Sequence, residues 1–574
     1  MKDTDHYYCR ILLDVLEAHG VKDIIASPGS RNAPLLISCS YRSSINVQVI
    51  TDERTAAFFA LGVAAISRKP VALICTSGTA LYNYAPAIAE AFYQGLPLIV
   101  ISADRPYYWI DQNDSQTLIQ PGSLSKIVKG SFNIPVESPE KNIEWYVNRI
   151  SNEAAILSTD GKPGPVHINV EIEAPISGIK ENTEEIQRSI RTIPSAASLH
   201  PRYIEELRGR LAGKRILVVA GFMPPDDRLN KYLKLFATLP GVVILCETLS
   251  NLHISGNPYA IDSVISGLSE EMKSKLRPDI VISIGGALVS RMLKEFIRKD
   301  APEVWSLGDS YFGIDCFQNL SVNIQVEPGY FFKVLYYSLL KRYRKEDIPQ
   351  KCSEYPRLWE NVKSNQLALR ERFVAEAEWS ELKAFQHILE TLPRNYNLFL
   401  SNGTSVRYAQ LFTHNIPHAS YSNRGVSGIE GTTATAAGCA FAYNGPTVLI
   451  TGDMSFAYAP GVLGLDMLPP SFKIVVINNR GGGIFRFISP TRYIEHRDRF
   501  FCADPKVLVE GLAQAYGWKY FAASSEDELA REYTRFLTFK KNAVLEIFAD
   551  EEYSATLLRK YMRINFENAS QSEK

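Results

Sequence analysis

The feature that most constrains this chain is a recurrent short apolar run without polar alternation. Asp23 to Ala26, Val47 to Ile50, Val71 to Cys75, Leu98 to Ser102 and Val166 to Ile172 are separated by stretches of helical periodicity. A strand with one wet face alternates apolar and polar residues. A strand that does not alternate is buried on both faces, which implies parallel sheet covered by helices. Ile193-Pro194-Ser195-Ala196-Ala197-Ser198 interrupts the pattern, which restarts at Arg215 to Ala220, Val242 to Cys246 and Asp279 to Ile284. A charged run from Lys341 to Lys351 precedes a last set at Asn397 to Leu400, Thr447 to Thr451, Lys473 to Ile477 and Ala543 to Ile547. The fold class is therefore α/β, as three consecutive α/β domains with mainly parallel sheets, at 1–190, 191–350 and 351–574. A length of 574 residues agrees, since it predicts roughly three or four domains. The last residues, Asn568 to Lys574, read as frayed.

Charge and cysteine usage exclude several classes of partner. Lys plus Arg and Asp plus Glu are both 62, so net charge draws the chain neither to nucleic acid nor to an anionic membrane. Small molecules are the expected partners. The eight cysteines are scattered, with no Cys-x-x-Cys pair, and read as reduced buried thiols. The polar start, Met1-Lys2-Asp3-Thr4-Asp5, lacks the basic and apolar regions of a signal peptide, and no apolar stretch approaches a membrane span. A cytoplasmic location is expected.

Two motifs near the C-terminal end carry chemistry. Gly452-Asp453-Met454-Ser455 follows the apolar Val448, Leu449 and Ile450, and Asn478-Asn479 follows Ile474 to Ile477 about two dozen residues later. A carboxylate and a carboxamide oxygen at the ends of parallel strands suit a hard divalent cation, and turn N–H groups beside them suit a diphosphate. Ordinary strand-end turns are the alternative, because Asp and Asn favour turns. Gly481-Gly482-Gly483 is either a flexible loop or a place where backbone approaches a ligand closely. In the first third, Thr51-Asp52-Glu53-Arg54 leads straight from a strand into an Ala-rich apolar helix. A carboxylate in such surroundings gains proton affinity and can protonate or hydrogen-bond a ring nitrogen. Complementing the helix dipole is the plainer role for Glu53.

In chain order, Glu53 after the second strand, Cys75-Thr76-Ser77-Gly78-Thr79-Ala80 after the third, and the Asp453 to Asn479 motif resemble the thiamine diphosphate-dependent enzyme family. That family's metal-diphosphate motif runs from Gly-Asp-Gly to Asn-Asn; here the third Gly is Met454. The resemblance implies a thiamine diphosphate-binding fold, with the pyrimidine bound by domain 1–190 and the diphosphate with Mg²⁺ by domain 351–574. It implies that Glu53 is catalytic, hydrogen-bonding N1′ of the aminopyrimidine and promoting its imino tautomer. Asp453, the Asn479 side chain and the Gly481 carbonyl would hold Mg²⁺, with Mn²⁺ able to substitute. Met454 and Ser455 would offer backbone N–H groups, Ile429 would support the bent cofactor, and Gly403, Thr404, Ser405, Ile484 and Phe485 would complete its site. Gly403 stands where the family keeps a serine, leaving Thr404 or Ser405 to supply the hydroxyl. A homodimer or dimer of dimers is implied too, because Glu53 and Asp453 would come from different chains.

Ser27-Pro28-Gly29-Ser30-Arg31-Asn32-Ala33-Pro34-Leu35, Ala103-Asp104-Arg105-Pro106, Ser115-Gln116-Thr117 and Ser422-Asn423-Arg424-Gly425-Val426-Ser427-Gly428-Ile429-Glu430-Gly431 are similar to motifs of the menaquinone-pathway branch of the family. Those transferases decarboxylate 2-oxoglutarate and add the succinyl carbanion equivalent to isochorismate. The resemblance implies a substrate set of Ser30, Arg31, Arg105, Gln116, Lys294, Arg407 and Arg424. Two dianionic substrates beside a diphosphate suit planar guanidinium groups, which donate two parallel hydrogen bonds to a carboxylate. Arg31, Arg105, Arg407 and Arg424 all read as lying in loops after strands, where α/β sheets bind ligands, although any one alone could be a surface arginine. The middle third offers only Gly285-Gly286 and Lys294 as landmarks. Rival readings are an acetolactate synthase or 2-oxoacid decarboxylase, and a catalytically silent binding protein on the same fold. The arginine motifs argue against the first, and the joint presence of Glu53, Asp453 and Asn479 against the second.

Overall fold

The computed structural model describes residues 2–181, 187–254, 260–299, 302–308, 313–344, 348–412 and 417–568. Part of the Lys341 to Lys351 run, residues 345–347, and the tail beyond Asn568 lie outside the described residues. Contacts divide the chain into two compact units. One takes residues up to Pro194 together with Asn423–Thr447 and Ser455–Phe472; the other takes Ser195–Ser422, Val448–Met454 and the chain from Lys473 onward.

The first unit is built on six strands in the order Asn46–Val49, Asp23–Ala26, Val71–Cys75, Leu98–Asp104, Val166–Glu171, Ser131–Ile134, with every neighbouring pair parallel. Val71–Cys75, Leu98–Asp104 and Val166–Glu171 are buried at every position, as absent alternation requires. Asn46–Val49 departs from that expectation: it is an edge strand whose residues are partly or fully exposed. A two-stranded antiparallel sheet pairs Lys2–Thr4 with Ile179–Glu181.

The Glu53–Ser67 helix begins at the Asp52 N-cap, which accepts the Arg54 N–H, and stops at Arg68 in left-handed conformation. Thr55 to Ala64 are all buried, so the helix is interior on every side. It packs against the Thr432–Tyr443 helix through bare backbone. A Cβ on Gly62 would lie 2.1 Å from the Thr435 carbonyl oxygen, and one on Gly438 would lie 2.0 Å from that of Phe59. The Phe59 and Phe441 rings, 5.4 Å apart, flank the same seam.

The second unit holds two sheets. The five-stranded one runs Val242–Cys246, Ile216–Ala220, Ile280–Ile284, Glu303–Leu307, Leu320–Ile324, all parallel. The six-stranded one runs Ala419–Tyr421, Asn397–Leu400, Thr447–Gly452, Phe472–Asn478, Ala543–Phe548, Lys519–Ala523. Among the described residues no helix is long and apolar enough to cross a membrane. All eight cysteines are free thiols, and seven are buried.

Candidate active site

In each of the three parallel sheets, chain order reverses between two adjacent strands, and loops that diverge there can leave a crevice at the strands' C-terminal ends. In the first unit the reversal lies between Asp23–Ala26 and Val71–Cys75, whose ends lead into Ser27 to Arg31 and Thr76 to Gly78. The two loops interlock, since a Cβ on Gly29 would lie 2.4 Å from the Thr76 Cβ. Asn32 braces the first loop, accepting the Gly29 N–H at 3.0 Å and donating to the Ser27 carbonyl at 2.9 Å. Arg31 then donates to the Ile172 carbonyl at 2.9 Å. Arg105, just past Leu98–Asp104, donates to the Ser115 carbonyl at 2.9 Å and pairs with Asp114 at 2.8 Å.

Arg31 and Arg105 share one neighbourhood. Burial lowers the Arg31 pKa, and the Arg105 charge lowers it further, against Asp114 and Asp104. Paired guanidiniums of this kind favour a dianionic ligand. Behind them, Asp104 is fully buried, and desolvation pushes its carboxyl up to about 6. It accepts the Arg105 N–H at 2.8 Å and the Asn169 amide at 3.0 Å. Gln120 donates to Asn169 and accepts the Gly78 N–H, both at 2.8 Å, so buried hydrogen bonds tie the Gly78 loop to the network behind Arg105. Ser30 and Gln116 are exposed on this rim, and Gln116 has φ +56°.

Glu53 opens its helix as expected, but within this chain it is half-buried rather than enclosed, because it sits in the first turn beside the exposed Asp52. Its Oε2 accepts from the Asn83 amide at 3.3 Å. The Arg424 loop is fastened by Glu90, a buried residue of the Ala80–Gln94 helix. Its carboxylate accepts the N–H groups of Gly425, Val426 (2.7 Å) and Ser427 (3.3 Å). Ile429 and Ser455 are brought together, the Ser455 hydroxyl donating to the Ile429 carbonyl at 2.6 Å.

In the second unit's six-stranded sheet the reversal falls between Asn397–Leu400 and Thr447–Gly452, placing Gly403, Thr404 and Ser405 on one side and Asp453 on the other. Gly403 has φ +91° with open space around it. A serine there would fit sterically but strain the backbone, which accounts for the glycine. Ser405 is buried and Thr404 half-exposed, so Thr404 presents the more accessible hydroxyl. Arg407 corrects the sequence reading: it lies in the short Ser405–Ala409 helix, not a loop, and donates to the Gly403 carbonyl. Lys294 sits half-buried on the Arg291–Arg298 helix beside the five-stranded sheet, with no hydrogen bond to another candidate among the described residues. In that sheet the crevice is closed by main chain: a Cβ on Gly221 would lie 2.3 Å from the Gly286 carbonyl oxygen.

Asp453 is 2% exposed. Its carboxylate accepts the Met454 N–H at 2.7 Å and the Gly481 N–H at 2.8 Å, yet burial still pushes it up to about 6. The Met454 N–H, expected to face a diphosphate, is therefore engaged by its own neighbour's side chain. Asn479 is buried, and its amide nitrogen donates to Glu381 at 2.9 Å. Gly481 has φ +104°, and a Cβ there would lie 2.1 Å from the Cys502 carbonyl oxygen. Ile484 and Phe485 open the next helical turn, with Phe485 5.7 Å from the Phe501 ring. A cavity of about 580 Å³ opens here, lined among others by Asp453, Asn478, Arg480, Asp504 and Leu508.

These donors fit a hard divalent cation. Asp453 is a buried carboxylate whose desolvation a cation would offset, and Asn479 offers an amide oxygen because its nitrogen is committed. Among the described residues no group of three or more His, Cys, Asp or Glu could hold a metal. A cation held here would need further oxygens from another ligand, of the kind a diphosphate provides.

Two family models match the same regions: the thiamine pyrophosphate enzyme N-terminal TPP binding domain over residues 8–124, and the C-terminal TPP binding domain over residues 401–547. A 2-succinyl-5-enolpyruvyl-6-hydroxy-3-cyclohexene-1-carboxylate synthase of Porphyromonas gingivalis is 38% identical over 555 residues, covering 96% of each chain. The synthase of Flavobacterium psychrophilum is 35% identical over 561 residues, covering 96% of this chain and 98% of its own. This chain belongs to the 2-succinyl-5-enolpyruvyl-6-hydroxy-3-cyclohexene-1-carboxylate synthase family. A family member from Bacteroides fragilis is 34% identical over 561 residues, covering 96% of this chain and 97% of its own.

Reading the sequence of this synthase-family chain did not find Glu90, Glu381, Gln120 or Asn83. Each acts through a partner distant in sequence, and none stands in a local pattern that marks it. Asp104 was visible only as part of an arginine motif.

Proposed function

We propose that this chain is a thiamine diphosphate-dependent transferase of menaquinone biosynthesis that decarboxylates 2-oxoglutarate and adds the succinyl carbanion equivalent to isochorismate. The products are 2-succinyl-5-enolpyruvyl-6-hydroxy-3-cyclohexene-1-carboxylate and CO₂. The observation that carries this reading is family membership over nearly the whole chain, together with the paired Arg31 and Arg105 in the first unit's crevice. When bound, thiamine diphosphate supplies the electron sink that lets a 2-oxo acid lose CO₂ and leaves an acyl carbanion equivalent.

The chain's own residues then have separable tasks. Glu53 holds a proton against N1′ of the aminopyrimidine, from a pyrimidine-binding domain at 1–190. In the 351–574 domain, Asp453, the Asn479 amide oxygen and the Gly481 carbonyl hold Mg²⁺, with Mn²⁺ able to substitute. Gly403, Thr404, Ser405, Met454, Ser455, Ile484 and Phe485 line the cofactor, and Ile429 supports it. Arg31, Arg105, Arg407, Arg424 and Lys294 bind substrate carboxylates, with Ser30 and Gln116 adding neutral hydrogen bonds. Two dianions need such a set, whereas the small monocarboxylates of an acetolactate synthase do not. We place the enzyme in the cytoplasm as a homodimer or dimer of dimers, with Glu53 and Asp453 of one site on different chains. Mass-spectrometric product analysis with cofactor, Mg²⁺, 2-oxoglutarate and isochorismate tests the proposal. Carbon–carbon bond formation only when isochorismate is present is the expected result, and product formed from 2-oxoglutarate and pyruvate instead would refute it.

A further inference from the structure

We infer that Glu381 is a positioning residue that selects the metal-binding face of the Asn479 side chain; this rests on the reading of Asp453 and Asn479 as metal ligands. A carboxamide has two chemically opposite ends of nearly equal size, and rotation by half a turn exchanges the acceptor oxygen for the donor NH₂. Only the oxygen can bind a cation. Something must therefore hold the amide in one of two nearly isosteric orientations.

Glu381 does this from beneath. It is 3% exposed and begins the Glu381–Thr391 helix, where its own N–H donates to the Ser554 hydroxyl at 3.1 Å. Its Oε1 accepts from Asn479 Nδ2 at 2.9 Å. An acceptor at that point attracts the NH₂ and repels the amide oxygen, so Oδ1 is turned away from the helix. The other carboxyl oxygen, Oε2, is buried without a hydrogen-bond partner among the described residues, so the bond to Asn479 is the one the carboxyl group makes there.

A second contact presses on the same amide. A Cβ on Gly483 would lie 2.4 Å from Asn479 Nδ2 and 3.1 Å from its Cγ, so the amide occupies space that only a glycine at 483 leaves open. Arg486 donates to the Asn479 carbonyl at 3.3 Å and fixes the backbone from which the side chain springs. Partners that orient a metal ligand in this way typically change metal affinity by about 10–100-fold when removed.

The test uses the full chain and calorimetric thiamine diphosphate binding across a Mg²⁺ series. Glu381→Met removes the acceptor at similar size and is expected to raise the half-saturating Mg²⁺ concentration by about 10–100-fold. Glu381→Gln keeps an acceptor oxygen and should stay within about threefold of the parent. A merely structural glutamate would instead lower the melting midpoint of the metal-free, cofactor-free protein and leave the Mg²⁺ dependence unmoved. Gly483→Ala, whose methyl would crowd the same amide nitrogen, should reproduce the raised Mg²⁺ requirement and serves if Glu381→Met does not fold. An unchanged Mg²⁺ dependence in the folded variants overturns the inference. Asp453→Ala and Asn479→Ala, run in parallel, separate the two levels: if they abolish binding while Glu381→Met leaves the Mg²⁺ dependence unchanged, only the positioning role fails. If neither alters binding, the metal-site reading fails with it.

Discussion

Replacing Gly62 by alanine would invert a familiar rule. In a helix interior, Gly→Ala ordinarily stabilises by up to about 1 kcal/mol. At Gly62 the new methyl carbon would stand 2.1 Å from the Thr435 carbonyl oxygen and 2.7 Å from the Cys439 nitrogen. A close carbon–oxygen contact is about 3.3 Å, so the Glu53–Ser67 and Thr432–Tyr443 helices must part by about 1 Å. A gap of that size forfeits roughly a quarter to a half of each dispersion contact along the seam, and overpacking of this kind costs about 1–3 kcal/mol after relaxation. The net expectation is a destabilised protein, with turnover reduced as well because Glu53 rides on the displaced helix. Gly209, inside the Pro201–Leu211 helix with nothing within 4 Å of a Cβ, provides the internal control. Urea denaturation followed by circular dichroism should show Gly209→Ala at or above the parent midpoint and Gly62→Ala below it. Equal midpoints for Gly62→Ala and the parent, with Gly209→Ala behaving normally, would refute the close-seam argument.

Glu53→Gln should retain cofactor binding while losing turnover by about a hundredfold or more, as positioned acid–base groups do; near-normal hydrogen–deuterium exchange at C2 of the bound cofactor would remove Glu53 from its role. Arg31→Ala, Arg105→Ala and Arg424→Ala should each cost roughly 1.5–3 kcal/mol in substrate use while sparing cofactor binding. Single-turnover measurements with 2-oxoglutarate alone and then with isochorismate will sort them by substrate, and full activity in all three would defeat the assignment. Asp262 is buried, accepts from the Ser290 hydroxyl, and has its carboxyl pushed up to about 6, chiefly by desolvation. The folded state therefore binds a proton that the unfolded chain has released, so stability falls as pH rises from about 4 to about 6 and stays lower above it. Asp262→Asn should raise the melting midpoint at pH 8 and leave it nearly unchanged at pH 4, with about 3 kcal/mol as the upper bound; an equal shift at both pH values would rule out the titration.

The central strands were legible because burial on both faces writes a local signature, as at Val71–Cys75. Edge and short strands such as Ser131–Ile134 and Ala419–Tyr421 carry polar residues or too few positions, so the same test passes over them. Arg407 read as a loop residue because a five-residue helix, Ser405–Ala409, shows no periodicity. Asp453 and Asn479 stood out as strings at strand ends, whereas Glu381 and Glu90 meet their partners only through the fold.

The grip of Glu90 on three successive amides has a practical consequence for engineering. Main-chain N–H groups survive any substitution except proline, so the fastening of the Arg424 loop does not depend on which side chains stand at Val426 and Ser427. Gly425 is excluded, since a Cβ there would lie 2.6 Å from the Glu90 carbonyl oxygen, and Ser427, at φ +63°, favours Gly, Asn or Asp as replacements. Randomising Val426 to any residue but proline, and Ser427 within that set, would vary the chemistry beside a fixed arginine, giving a compact library in which altered substrate choice can be selected without unfastening the loop.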